Sequence, residues 1–367
     1  MISLKTRGTP NGINNTLIAH IISDNNGLLS CYAPFEQQTI QLSSSFIDSS
    51  SLPFVHNIQD LMYLETGDIV LINPDGIINT LFRKNSPHNA LFITDRCNSN
   101  CLMCSQPPKN EDDLDYLYDI NSQLIQLIPD TTPELGITGG EPTILGNRFV
   151  ELLQLLKDYL PDTEIHVLTN GRSFAWKNLP YKISEIRNRK VVFGVPLYSD
   201  YYLFHDYVVQ AKNAFSQTML GLHNLASYDQ RIEIRVVLHQ QTYKRLPSLA
   251  RFIYMNLPFV EHVAFMGLEY TGYTLKYAEL LWMEPGEYAN ELEQAVLFLD
   301  SMDINVSIYN LQLCLLKPTL WPFAKKSISD WKREYLNQCN ICTKLNDCGG
   351  VFATSRKHSN KIMAILD

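Results

Sequence analysis

The chain has 367 residues, and its 45% hydrophobic and 19% charged content is ordinary for a globular protein with a substantial core. Its net charge is -8 and it has no extended basic run, which disfavours a nucleic-acid partner, because such proteins usually neutralise phosphates with a basic face. The N-terminal residues lack the apolar stretch of a secretory signal, and the apolar run at 311–324 is too short to cross a bilayer. We therefore expect no membrane association and a cytoplasmic location, where grouped cysteines bind metals more often than one another.

Residues 1–86 are predicted to form a β-rich accessory domain. The segment GDIVLINPDGIINTLFR, residues 67–83, predicts two apolar strands around a turn at Pro74-Asp75-Gly76. No motif that carries chemistry is present in this part of the chain. The lone Cys31 is interpreted as a small buried hydrophobic residue.

Strand and helix signals alternate from residue 87 to about 300, which we take as one core domain. Amphipathic stretches of helical period lie between short apolar runs, for example at 148–160 and 207–225. The apolar runs predict six strands, at 90–94, 134–138, 164–169, 190–197, 231–239 and 262–268. Apolar strands separated by helices indicate βαβ units, a parallel sheet and an α/β fold that is a partial or full barrel. In such folds the ligands bind at the carboxyl ends of the strands.

Three cysteines follow the first of these strands within eight positions. Cys97, Cys101 and Cys104 have the spacing C-x3-C-x2-C and are expected at the carboxyl end of that strand. Three thiolates hold a catalytic zinc with one open position, or a cubane iron–sulfur cluster with one iron free for a substrate. Zinc sites are usually built from C-x2-C pairs with further ligands downstream, so this spacing fits zinc poorly. A disulfide and chance clustering are the remaining alternatives.

The motif C-x3-C-x2-C after a first strand resembles the signature of the radical SAM enzymes. The resemblance is strengthened by ITGGEPTI, residues 137–144, at the end of the second strand, where this family has a G-G-E motif. It implies that Thr138, Gly139, Gly140 and Glu141 bind S-adenosylmethionine (SAM), with the glycines close to the ligand and Glu141 accepting from its ammonium. A plain tight turn at the two glycines is the alternative. Met103 occupies a cofactor-binding position that is usually aromatic in the family.

The resemblance extends to later strand ends. It implies that Thr169 and Asn170, in VLTNGR, face the ribose and methionyl part of SAM, unless Asn170-Gly171 is only a left-handed turn. It implies that Ser199 points into the barrel mouth. Arg235 interrupts an apolar strand and therefore needs a partner, either the SAM carboxylate or a core carboxylate. The segment 262–269 resembles the strand that lines the adenine. His205 and Asp206 are interpreted as capping or packing residues, and no catalytic side chain is assigned beyond the cluster ligands.

Residues 301–367 contain a second cysteine group and are predicted to be a loop-rich extension. The run C-x2-C-x5-C-G-G resembles the SPASM and twitch extensions of radical SAM enzymes, which bind auxiliary [4Fe-4S] clusters. The four cysteines suffice for one such cluster, or alternatively for a structural zinc. They are Cys314, Cys339, Cys342 and Cys348.

Within the family, the core segments are most similar to the radical SAM maturases of the His-Xaa-Ser system. This resemblance implies a small precursor peptide with His-Xaa-Ser repeats as substrate and a second radical SAM maturase as partner. A reductase, ferredoxin or flavodoxin would supply electrons. The acidic run Glu111-Asp112-Asp113 would then face a basic peptide, although a solvated helix start explains it as well.

Radical SAM enzymes break an unactivated C–H bond with a cofactor-derived radical, because no amino acid side chain supplies so strong a hydrogen-atom acceptor. The resemblance therefore implies a [4Fe-4S] cluster that cleaves SAM reductively to a 5′-deoxyadenosyl radical, which abstracts hydrogen from the substrate. One alternative is the same chemistry on a small molecule or nucleoside precursor. The alternative from another class is a non-catalytic iron–sulfur or zinc scaffold, which would have no use for Glu141 and the adjacent glycines.

Overall fold

The fold was analysed in a computed structural model that describes residues 2–25, 27–48 and 50–366. The N-terminal part is an antiparallel-rich sheet with the strand order β1-β8-β7-β3-β4-β5-β6-β2. Its strands are β1 (Lys5–Arg7), β2 (Thr9–Asn11), β3 (Leu17–Asn25), β4 (Leu28–Ala33), β5 (Gln38–Ser43), β6 (Phe54–His56), β7 (Ile69–Ile72) and β8 (Ile77–Phe82). The two edge strands are consecutive in the chain with only Gly8 between them, so the sheet closes on itself into a small barrel.

This small barrel agrees with the β-rich prediction in its details. The predicted turn at Pro74-Asp75-Gly76 joins β7 and β8, which pair antiparallel. Gly76 has a φ of 82°, a value that favours glycine at this position of the turn. Alternating side chains of the strands fill a separate apolar core, which includes the fully buried Cys31.

The second sheet is the core of the molecule and is parallel throughout. Its order is β16-β15-β14-β13-β12-β11-β10-β9, so strands that are consecutive in the chain are neighbours in the sheet. The strands are β9 (Ala90–Phe92), β10 (Glu134–Thr138), β11 (Glu164–Leu168), β12 (Val191–Pro196), β13 (Arg231–Val237), β14 (His262–Met266), β15 (Asn305–Tyr309) and β16 (Ala324–Lys325). The predicted α/β fold with a partial barrel of parallel strands is confirmed.

Helices connect these strands and cover the outer face of the sheet. They are α1 (Leu114–Ile125), α2 (Asn147–Tyr159), α3 (Asn178–Ile186), α4 (Tyr202–Val209), α5 (Ala214–Ser227), α6 (Leu246–Asn256), α7 (Tyr273–Lys276), α8 (Ala278–Leu281) and α9 (Ala289–Ser301). The apolar faces of the long helices and the outward side chains of the strands form one continuous core. In the described part of the chain, no helix is long and apolar enough to span a membrane.

Two boundaries differ from the prediction. The alternation does not stop at residue 300, because β15 and β16 join the parallel sheet and so extend it into the predicted C-terminal extension. The predicted helix at 207–225 is two helices, α4 and α5, since Gln210 and Asn213 adopt φ values of 57° and 58° that end one helix and precede the next. Beyond β16 the chain is loop-rich, as expected, with β17 (Arg333–Glu334) and β18 (Val351–Phe352) forming a short ladder.

Candidate functional site

The three-cysteine loop starts five residues after β9 ends and lies at the carboxyl edge of the parallel sheet. The backbone N–H groups of Asn100 and Leu102 donate to the carbonyl groups of Val209 and Val208, at 3.1 and 2.9 Å. The loop is therefore fixed to the last turn of α4. Within it, the N–H of Cys104 donates to the carbonyl of Cys101 at 3.1 Å, which closes a tight turn between two of the cysteines.

The thiols of this loop are free and partly buried. None of Cys97, Cys101 and Cys104 forms a disulfide. Burial raises the pKa of the Cys97 thiol to about 11, with a further contribution from the nearby Glu141 carboxylate, and burial also raises the pKa of Cys101 and of Cys104. A metal cluster bound here would supply the positive charge that stabilises the thiolates. Three free thiols on one loop, which influence one another electrostatically, are a donor set that fits an iron–sulfur cluster.

The G-G-E segment packs directly on the backbone of this loop. The N–H groups of Gly140 and Glu141 donate to the carbonyl oxygens of Thr94 and Arg96, at 2.6 and 2.8 Å. A Cβ atom on Gly140 would lie 2.1 Å from the Arg96 oxygen, and one on Gly139, which has a φ of 155°, would lie 2.8 Å from the Thr94 oxygen. The glycines are therefore needed for a close approach of two protein segments. Their predicted approach to a ligand stays a prediction, as does that of Thr138 at the end of β10.

Glu141 is the central hydrogen-bond acceptor of the site. Its carboxylate, on a residue only 1% exposed, accepts from the hydroxyls of Thr143 and Thr169, both at 2.6 Å, and from the backbone N–H of Asn170 at 2.6 Å and of Thr143 at 3.1 Å. Burial raises the pKa of this carboxyl, and the four donors oppose that shift. Glu141 thus joins the ends of β10 and β11, while its predicted contact with an ammonium stays a prediction.

Thr169 and Asn170 lie beside the cysteine loop, as expected for strand-end residues. The side-chain amide of Asn170 donates to the Asn98 side chain at 2.6 Å and lies 4.0 Å from the Cys97 sulfur. The left-handed turn considered as the alternative is at Gly171, whose φ is 76°, and not at Asn170. Met103 is buried against the apolar residues that support the loop.

Arg172 is a site residue that the sequence interpretation missed. Its guanidinium donates to the hydroxyl of Ser99 at 2.9 Å and to the side chain of Gln217 at 2.8 Å, so it connects the cysteine loop to α5. Its position directly after Asn170-Gly171, at the end of the segment VLTNGR, is a sequence signal for this role.

Ser199 is fully buried, and its hydroxyl accepts from the N–H of Tyr201 at 3.1 Å in the turn before α4. Its expected orientation into the barrel mouth stays a prediction. The neighbouring Tyr198 packs in the apolar group that contains Cys101 and Met103. His205 and Asp206 have the packing and capping roles that were predicted, since His205 accepts from the Tyr198 N–H and Asp206 from the Phe215 N–H.

Arg235 has a carboxylate partner within the protein. Its guanidinium donates to Glu233 at 2.6 Å and lies over the ring of Tyr309, with 6.0 Å between guanidinium carbon and ring centroid. Glu233 also binds His262 at 2.6 Å and lies 3.4 Å from His166. Burial alone would raise the pKa of Glu233, but these three basic groups hold it well below its usual range. The core-carboxylate alternative therefore describes Arg235 here, and its contact with SAM stays a prediction.

The four C-terminal cysteines line one small shared cavity. Three chain segments bring them together: the turn after β15 supplies Cys314, a short helical turn supplies Cys339 and Cys342, and the approach to β18 supplies Cys348. None of the four is in a disulfide. Burial is the main cause that raises the pKa of Cys314, and the thiols of Cys348 and Cys339 add to it. The donor set and the shared cavity fit a bound metal cluster.

Residues 91–253 match the family model of the radical SAM superfamily. This segment is a radical SAM domain. It begins in β9, contains the three-cysteine loop and the G-G-E segment, and ends in α6. The last three strands of the parallel sheet and the second cysteine group lie beyond the matched radical SAM segment.

Known proteins are similar to this chain over part of their length. An uncharacterized protein of Methanocaldococcus jannaschii is 26% identical over 183 residues, covering 48% of this chain and 61% of that protein. A putative glycyl-radical enzyme activating enzyme of the same organism is 34% identical over 99 residues, covering 24% of this chain and 25% of that protein. The crystal structure of Streptococcus suis SuiB bound to S-adenosylmethionine has 14% identity and a TM-score of 0.47, covering 60% of this chain and 50% of SuiB. The chain thus spans less than two thirds of each of these proteins.

Proposed function

We propose that the chain is a radical SAM enzyme with a [4Fe-4S] cluster on Cys97, Cys101 and Cys104. The observation that carries this proposal is the backbone contact between the G-G-E segment and the three-cysteine loop, at the carboxyl edge of a parallel sheet. When bound, the cluster and SAM supply a 5′-deoxyadenosyl radical that abstracts a hydrogen atom from the substrate. A three-cysteine ligand set leaves one iron open for SAM.

The protein groups have positioning roles in this proposal. Glu141 fixes the ends of two strands under the cysteine loop, and Asn170 and Arg172 fix the loop from the side. Leu102 and Met103 pack with Tyr198 in an apolar cluster that supports the loop. The protein thereby holds the reacting atoms in place, and the cofactor performs the hydrogen abstraction.

The proposed substrate is a peptide, most simply a small precursor with His-Xaa-Ser repeats, as the sequence resemblance implies. The proposed docking point for the peptide is a small cavity between the carboxyl ends of β13 to β15 and the C-terminal extension. Trp282, Tyr288 and Phe352 line this mouth cavity together with the side chains of Lys357 and His358. A second radical SAM maturase and an electron-donating reductase, ferredoxin or flavodoxin are the proposed partners.

The second cysteine group is proposed to hold an auxiliary [4Fe-4S] cluster, with Cys314 as its fourth ligand. The shared cavity supports this assignment, since all four cysteines line it. Four thiolates without an open position would suit electron transfer better than substrate binding.

The decisive experiment is anaerobic reconstitution followed by incubation with SAM and dithionite. We expect release of 5′-deoxyadenosine, and none from the variant with Ala at Cys97, Cys101 and Cys104. The matched control is Cys31→Ala, which removes a thiol from the N-terminal core and should leave SAM cleavage unchanged. Iron-loaded protein that releases no 5′-deoxyadenosine would contradict the proposal and favour the scaffold alternative. Hydrogen transfer into 5′-deoxyadenosine from a deuterated His-Xaa-Ser peptide would distinguish a peptide substrate from a small molecule.

A further inference from the structure

The C-terminal residues Lys357–Leu366, here called the strap, run across the second cysteine cavity. Ile362, Met363 and Ile365 of the strap line this cavity together with the four cysteines. Ile362 is buried, whereas Met363 is largely exposed, so the strap presents one side to the cavity and the other to solvent. Lys357 and His358, at its other end, line the mouth cavity.

Two backbone N–H groups of the strap point at cysteine sulfurs. The N–H of Ile365 donates to the Cys342 sulfur at 3.4 Å. The backbone N–H of Met363 lies close enough to the Cys314 sulfur to lower the pKa of that thiol, against the larger rise that burial causes. The two sulfurs belong to segments that are distant in sequence, so the strap contacts both sides of the cysteine group.

The strap is held in this position at two points. The carbonyl of Ile365 accepts from the N–H and the hydroxyl of Thr343, both at 3.0 Å, directly beside Cys342. The hydroxyl of Ser359 donates to the Glu284 side chain, which belongs to the segment between α8 and α9. These contacts fix the N–H donors relative to the sulfurs.

Hydrogen bonds to cysteine sulfur and exclusion of solvent are main determinants of the potential of an iron–sulfur cluster. Reduction adds negative charge to the cluster, and an N–H dipole directed at a ligand sulfur stabilises the reduced state more than the oxidised state. An apolar cover has the opposite effect, because it removes the water that would stabilise the added charge. The two N–H donors therefore counteract the apolar side chains of the strap.

We propose that the strap is a lid on the second cysteine site and that its two N–H donors raise the reduction potential of the cluster bound there. This inference rests on the auxiliary cluster of the proposed function. The strap thereby keeps the cluster reducible within an apolar cavity, and its iron is protected from solvent.

The test uses the full chain with Cys97, Cys101 and Cys104 replaced by Ala, so that only the second site holds iron. Ile365→Pro removes one N–H donor and keeps the carbonyl, and Ile365→Ala is its matched control because it keeps both. A redox titration followed by electron paramagnetic resonance measures the midpoint potential. We expect a more negative potential for Ile365→Pro than for Ile365→Ala, and faster loss of iron to a chelator.

Equal potentials for the two variants would overturn the proposal. If Ile365→Pro retains no iron, Met363→Pro and Met363→Ala, at an exposed residue, provide the same comparison for the donor to Cys314. Loss of iron from both proline variants would also overturn it, because the donors would then be needed to assemble the site rather than to set its potential. A parent protein without any iron would instead contradict the auxiliary cluster of the proposed function.

Discussion

The backbone of Gly140 lies so close to that of Arg96 that a Cβ atom on residue 140 would be 2.1 Å from the Arg96 carbonyl oxygen. The adjacent N–H of Glu141 donates to the same oxygen at 2.8 Å. The residue before the first cysteine and the middle of the G-G-E segment are thus one packed unit. The two motifs are about 40 residues apart in the chain, and this contact explains why they occur together in one site.

Gly140→Ala should displace the cysteine loop, since neither backbone segment can move away without breaking its hydrogen bonds. Overpacking of this kind typically destabilises a protein by about 1–3 kcal/mol. Urea unfolding and iron content after reconstitution measure the two effects, and we expect a lower stability and less iron at the first site. Gly286→Ala is the control, because a Cβ atom there meets no atom within 4 Å. Equal iron content in the two variants would contradict the role assigned to Gly140.

Glu141→Gln should destabilise the site, because the new amide group would place a donor against the hydrogen-bond donors that surround this carboxylate. A buried group left without a suitable partner costs roughly 1–3 kcal/mol. Urea unfolding of this variant and of Glu279→Gln, an exposed control, measures the difference. If both variants unfold at the same urea concentration as the parent, the carboxylate is not the structural acceptor described above.

Iron counting should separate the two cysteine groups. We expect about eight iron atoms per reconstituted chain, from two four-iron clusters, and about four after replacement of Cys97, Cys101 and Cys104 by Ala. Replacement of Cys339, Cys342 and Cys348 should remove the other half, while Cys31→Ala should remove none. If the first triple variant keeps all its iron, the assignment of the first cluster is wrong. If the second site contains zinc in place of iron, it is a structural zinc site and not an auxiliary cluster.

The buried ion pairs of the barrel interior should make stability depend on pH. Burial alone would lower the pKa of His166, but its contacts with Glu134 and Glu233 outweigh burial and raise it from 6.5 to about 9, although the nearby Arg235 opposes this. Folding therefore favours protonated His166, and the stabilisation is complete below pH 6.5 and is lost as the pH rises to about 9. The loss amounts to roughly 3 kcal/mol.

Urea unfolding between pH 6 and 9.5 tests this dependence. His166→Gln should remove most of the decrease with rising pH, whereas His223→Gln, at an exposed ring, should retain it. The assignment to His166 is wrong if the two variants lose stability in parallel.

Local patterns in the sequence were sufficient to predict the strands of the core and to select the cysteines as candidate ligands. The six predicted strands all occur, because apolar runs between amphipathic helices leave few arrangements other than a parallel sheet. The position of the three-cysteine loop followed from the same pattern, since it comes directly after the first of these strands.

The tertiary structure decided which side chains face one another. The turn after β12 buries Ser199, whose hydroxyl accepts from the N–H of Tyr201, a contact that the apolar run of the strand does not predict. Arg235 meets Glu233 two residues away on the same strand face, a pairing that depends on the histidines contributed by β11 and β14. The strap contacts the cysteine sulfurs through backbone N–H groups, and such contacts cannot be predicted from a pattern of side chains. Periodicity and motif spacing are properties of neighbouring residues, so the sequence by itself determined the elements and the spacing of the two cysteine groups. Contacts between distant segments depend on packing and backbone geometry, and only the folded chain decided them.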